Sequence, residues 1–163
     1  KGVILGSHDD HTVADHRAMA DMGVCLAEFP ETEAAARAAR ACGNGVVMGA
    51  PNVLRGGSHA GKVSAADLVG QGLVDALASD YHYPALLRAA LRLWQGGMAV
   101  EAAWALISSG PAHLLGLSDR GEIVTGKRAD LVLLDARSHK VAATIAGGRI
   151  AYLSGDIAGR MLS

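Results

Sequence analysis

Through the first half of the chain, short apolar runs alternate with longer stretches of helical spacing. Val3–Gly6, Val24–Ala27, Val46–Met48 and Val74–Ala78 are compact, β-like and bounded by polar residues. Between them, 12–22 and 32–43 read as helices closed by Gly23 and Gly43, with Thr32 placed to cap the second. Residues 49–61 read as a Gly-rich loop, and 64–70 as a helix begun at Ser64. A helix or long loop after every strand predicts a parallel sheet with helices outside it. The polar residues gather just after the strands: His8, Asp9 and Asp10; Glu28; Asn52, Arg55 and His59; Asp80 and His82. In a β/α barrel this is the face that builds active sites, and in an open α/β sheet it is the ligand-binding edge.

The pattern then changes. Residues 84–94, 100–108 and 112–117 read as helices, and from Gly121 short strands follow at 122–124, 129–134, 141–146 and 149–153. Four short strands bury too little apolar surface to stand alone, so this part needs a partner sheet. The expected division is 1–117 for the α/β part and 118–163 for the β-rich part.

Composition narrows the classes. Half of the 163 residues are hydrophobic and 19% are charged, as in a folded domain. A formal net charge of −1 and few aromatics speak against a nucleic-acid partner. The apolar runs are too short to cross a membrane, and no signal peptide is read at the start. Without an initiator Met, the chain is read as beginning mid-sequence. Cys25 and Cys42, in apolar or Ala-rich surroundings, are expected to be buried reduced thiols, which suits the cytoplasm.

Three segments carry candidate chemistry. Ser7-His8-Asp9-Asp10-His11 sets imidazoles and carboxylates at the end of one strand, where one His with a carboxylate orienting it could ligate a divalent metal. A solvated polar loop is the plain alternative. Asp80 follows an apolar strand and could take a proton from an activated water, or simply cap a helix. In Gly49 to His59, Arg55, Asn52 and Ser58 could bind a multi-oxygen anion, because the Arg fork holds two oxygens at once. A flexible surface loop is the alternative there.

Two stretches resemble a known superfamily. Gly121-Glu122-Ile123-Val124-Thr125-Gly126-Lys127-Arg128-Ala129-Asp130-Leu131-Val132 and Pro111-Ala112-His113-Leu114-Leu115-Gly116-Leu117 are similar to C-terminal segments of amidohydrolase-superfamily enzymes. Within that superfamily, Ser7-His8-Asp9-Asp10, Ala27-Glu28-Phe29-Pro30, Met48-Gly49-Ala50-Pro51-Asn52, Arg55-Gly56-Gly57-Ser58-His59 and Ser79-Asp80-Tyr81 resemble, in this order, the ribose-triphosphate diphosphatases of the carbon–phosphorus lyase pathway. The resemblance implies the C-terminal half of a (β/α)8 TIM-like barrel followed by part of a small β-sandwich. It also implies a phosphorylated-sugar substrate cleaved to diphosphate, and a divalent metal, zinc, as one or two ions. On these residues His8, Asp80 and His59 would ligate metal and Asp80 would accept the proton. Asn52, Arg55, Ser58 and His59 would contact substrate, and Asp9 and Asp10 would support the ligands from behind.

The departures are specific. The His-x-His pair and bridging group of the superfamily have no counterpart here, and counting back from the strand before Asp80, read as the last of the barrel, makes Val3–Gly6 the fifth barrel strand. Glu28 stands where many relatives have a sixth-strand His, and Lys62 where they have a small polar residue. The competing expectations are an amidohydrolase opening a cyclic amide or amidine, dihydroorotase-like or deaminase-like, and an inactive, self-associating chain. The expected partner is therefore either the missing N-terminal half or a second copy.

Overall fold

The computed structural model describes residues 2–56 and 62–161. They form two compact units, Lys1–Gly116 and Leu117–Ser163.

The first unit opens with strand β1 (Gly6–His8), helix α1 (Val13–Asp21), β2 (Leu26–Glu28), α2 (Glu33–Ala41) and β3 (Gly45–Gly49). It continues through α3 (Ala50–Arg55), α4 (Ala65–Gly70), β4 (Ala76–Ala78), α5 (Ala85–Gln95), α6 (Val100–Ala105) and α7 (Ser109–Leu114). Local chemistry sets the helix starts. Thr12, Thr32 and Ser64 each accept a hydrogen bond from the backbone N–H three residues on, and Asp15 reciprocates to complete a capping box at Thr12. The strands pair in the order β1-β2-β3-β4, all parallel.

Alternation separates the two faces of this sheet. Ser7, Ala27, Val46, Met48 and Leu77 point to one side and are buried with α2, α3, α4 and α5. His8, Glu28 and Val47 share a register position on the other side and remain partly or fully open. The core is the helix-covered side, where Leu68, Val46 and Val53 are fully enclosed. Gly110 marks its tightest contact, since a Cβ there would lie 2.0 Å from the Asp75 carbonyl oxygen.

The second unit is an antiparallel sheet of β5 (Leu131–Leu134), β6 (Val141–Ala146) and β7 (Arg149–Leu153), with α8 (Gly155–Met161) packed against β6. Gly147 and Gly148 both have positive φ (56° and 78°), which a two-residue turn between twisted strands requires.

Several elements differ from the sequence expectation. The β1 ladder runs over Gly6–His8 and not Val3–Gly6, because pairing is decided by the neighbouring strand and not by the apolar run. Residues 122–124 form no strand, while α3 and α8 are helices where none was expected. Cys25 and Cys42 are exposed and not buried: Cys25 lies just before β2, bonded through its backbone to Leu5 and Gly45 at the amino ends of the strands, and Cys42 is the C-cap of α2. No helix among the described residues is long and apolar enough to cross a membrane.

Candidate active site

Of the polar residues named above, His8, Asp9, Asp10, Glu28 and Asp80 lie at or just after the carboxyl ends of the parallel strands, and Asn52 and Arg55 lie on the helix that follows β3. At the strand ends the backbone turns sharply, with Asp9, Phe29 and Asp80 at φ of 58°, 54° and 52°. Asp tolerates this left-handed region, but Phe does so at a cost of roughly 1–3 kcal/mol, so the surrounding packing must hold it. These three residues line one cavity of about 150 Å³, together with Asn52, Arg55 and Lys62.

His8 and Glu28 are register partners on β1 and β2, so their side chains leave the sheet on the same face. His8 Nε2 lies 3.9 Å from Glu28 Oε2, while its Nδ1 is 3.1 Å from Asp9 Oδ2. The ring also meets Phe29 edge-on, with centroids 5.3 Å apart. A carboxylate on one ring nitrogen fixes the ring, as it commonly does for a metal-binding His, and here the second nitrogen faces Glu28.

Asp10 faces the other way. Its Oδ2 accepts from Ser7 Oγ at 2.5 Å and from His16 Nδ1 at 2.7 Å. His16 is fully buried on α1, and Asn44 Nδ2 lies 3.0 Å from its Nε2. The same amide nitrogen donates to the Val24 carbonyl at 2.9 Å, which fixes it as a donor. His16 Nε2 therefore accepts, and its Nδ1 carries the proton given to Asp10. The carboxylate beside His8 is thus that of Asp9, while Asp10 anchors the segment from beneath.

The opposite charges come from other elements. Arg55, in the last turn of α3, donates to the Tyr81 hydroxyl at 2.7 Å. Asn52, on the same helix, accepts from Ala65 N at 3.0 Å and donates to the Val63 carbonyl at 3.3 Å, tying α3 to the start of α4. Asp80 is exposed in the turn after β4 and caps no helix, since α5 begins after Pro84. Ser58 and His59 lie outside the described residues.

Glu31 was not singled out in the sequence. Its carboxylate binds the Lys62 ammonium with one oxygen and His11 Nδ1, at 3.1 Å, with the other. Lys62 foremost, with His11, holds the Glu31 carboxyl below its ordinary range, and Glu31 in turn raises Lys62. Only packing reveals this, because Glu31 and Lys62 are far apart in the chain. Among the described residues, no three His, Cys, Asp or Glu side chains gather closely enough to hold a metal by themselves. His8 and Asp80 are not brought into such a group.

Residues 71–152 match the amidohydrolase family. The chain is 44% identical over 142 residues to α-D-ribose 1-methylphosphonate 5-triphosphate diphosphatase of Escherichia coli K12, covering 85% of this chain and 38% of that protein. A shorter stretch of 74 residues is 46% identical to an adenine deaminase of a Methylobacterium species, covering 45% of this chain and 13% of that protein. Among solved structures, an amidohydrolase from Thermotoga maritima superposes with a TM-score of 0.73 at 22% identity, over 93% of this chain and 44% of its own. The chain thus spans less than half the length of each of these relatives. The expected architecture, the C-terminal half of a (β/α)8 barrel followed by part of a small β-sandwich, is the fold this likeness shows.

Proposed function

Because the chain belongs to the amidohydrolase family, we propose that it is the C-terminal part of a metal-dependent hydrolase that cleaves α-D-ribose 1-methylphosphonate 5-triphosphate to the 5-phosphate and diphosphate. The observation that carries this reading is the 44% identity extending over 85% of the chain. The rest of the barrel, supplied by upstream sequence or another chain, would bring the remaining ligands and cover the open face of the sheet. The two thiols, neither in a disulfide, suit the cytoplasm.

His8 and Asp80 would hold zinc, with His59 a further candidate, and Asp9 would fix the His8 ring through Nδ1. The ion, when bound, supplies positive charge that polarises a phosphoryl oxygen and makes water a stronger nucleophile. Asp80 takes the proton of the attacking water on a carboxylate oxygen. Arg55, steadied by Tyr81, pairs with phosphate oxygens through its free donors, and Asn52 has one amide hydrogen left for substrate. Ser58 would add a hydroxyl contact.

The adenine deaminase likeness supports a second reading, deamination of a purine-like substrate, on a match about half as long. The two separate on Arg55, which a neutral base does not need. The test is metal content and diphosphate release by the complete protein, with His8→Ala and Asp80→Ala beside it. Each variant should lose turnover by on the order of a thousandfold, with an unchanged melting temperature. Metal-loaded wild type that leaves the triphosphate intact and deaminates adenine would overturn the diphosphatase reading.

A further inference from the structure

The cavity at the strand ends holds three carboxylates, Asp9, Glu31 and Asp80, against the two cations Arg55 and Lys62. A triphosphate entering such a lining meets net repulsion unless every available cation turns toward it. Arg55 alone is outnumbered three to one among the described residues.

Lys62 is built to move and Glu31 is not. The Lys62 side chain is 54% exposed, and among the described residues its ammonium pairs with Glu31. Glu31 is 20% exposed and fixed at three points. Its backbone N–H donates to the Asp10 carbonyl at 2.9 Å, its carbonyl accepts from Val63 N at 3.0 Å, and its second carboxylate oxygen is taken by His11. An exposed ion pair of this kind is screened by water and contributes little, so exchanging its carboxylate for a phosphate oxygen costs little.

Building on the diphosphatase reading, we propose that Lys62 is a second polyphosphate-binding cation of this site. Glu31 holds its ammonium at the cavity in the absence of substrate and releases it when substrate phosphate arrives. Glu31 is then a competitor for Lys62 and not its structural mate, and this gives the two residues opposite signs in binding.

The experiment is titration of the complete, metal-loaded protein with inorganic tripolyphosphate, by calorimetry, for wild type, Lys62→Met, Lys62→Arg, Glu31→Gln and Arg55→Met. Removing the cation should weaken binding by roughly ten- to a hundredfold, and Lys62→Arg should restore most of it. Glu31→Gln should bind as tightly as wild type or more tightly. Equal weakening by Lys62→Met and Glu31→Gln, with matching falls in melting temperature, would show a structural ion pair and overturn the proposal. So would a Lys62→Met protein that binds within twofold of wild type while Arg55→Met does not; the diphosphatase reading would survive that result. Wild type that binds no tripolyphosphate would overturn both.

Discussion

In the unit ending at Gly116, apolar side chains from four strands and the helices around them close over Leu68, Val46 and Val53 until none is more than 1% exposed. In the unit beginning at Leu117, Ala143 is the one buried apolar side chain among the described residues, and Val132, Leu133, Ile150 and Tyr152 stand 43–58% exposed. Both sequences are rich in β-branched and aliphatic residues. The difference lies in what each fold supplies as cover. The parallel sheet carries its own covering helices along the chain, so one face is sealed locally. Within its own unit, α8 is the helix packed on the three-stranded antiparallel sheet among the described residues, and a sheet of that size needs a second layer to bury a face.

Truncation in each unit should break this comparison most sharply. Leu68→Ala should cost about 2–5 kcal/mol, through lost burial and the cavity left behind. Val132→Ala should stay within about 0.5 kcal/mol in this chain, as for other surface positions. In the complete protein, where a second sheet is expected, Val132→Ala should become several times costlier. Urea unfolding of both variants in both contexts measures this. A Val132→Ala cost that does not change between contexts would mean that the exposed face has no second layer.

A smaller effect is expected from the polar anchor beneath the site. Asp10→Ala removes the acceptor shared by Ser7 and His16 and leaves a buried imidazole N–H without a partner. That should cost roughly 1–3 kcal/mol. It should also loosen the turn carrying His8 and Asp9, so backbone exchange at 8–11 should speed up more than at β3. Uniform acceleration over the whole unit would show ordinary destabilisation instead. The antiparallel unit has no buried polar residue among those described, so no change there should reach a site in this way.

How far the sequence revealed this architecture depends on whether the cause is local. Thr32 and Ser64 were legible as helix starts because a cap acts within three residues. The β-then-α alternation was legible because apolar runs and helical spacing are local as well. Helix α3 was not, since Pro51 and the surrounding glycines read as a loop, although Pro is favoured in a first helical turn. Residues 122–124 have strand-like composition but no neighbouring strand to pair with, and composition cannot show that. The carboxyl ends of the strands were identifiable as the candidate site from the positions of His8, Arg55 and Asp80. The Asp10–His16–Asn44 chain and the Glu31–Lys62 pair depend on packing between distant segments, and only the structure brings them together.

The smallest expected effect is the response of the two units to acid. Hydrogen bonds from the Thr12 backbone and hydroxyl hold the Asp15 carboxyl below its ordinary range in the first unit. The Ser138 backbone and hydroxyl, with the Arg137 N–H, do the same for Asp135 in the second. For each group the unfolded chain binds its proton more readily than the folded one. The stability contributed is therefore complete above the usual carboxylate range and is lost as pH falls through that range toward the lowered values. Asp15→Asn and Asp135→Asn should each flatten the acid limb of stability in their own unit. Both tryptophans, Trp94 and Trp104, lie in the first unit, so their fluorescence follows it alone, while amide exchange in β6 follows the second. If Asp135→Asn flattens the tryptophan-detected limb as much as Asp15→Asn does, the two units unfold as one, and the contrast in their cores does not extend to their stability.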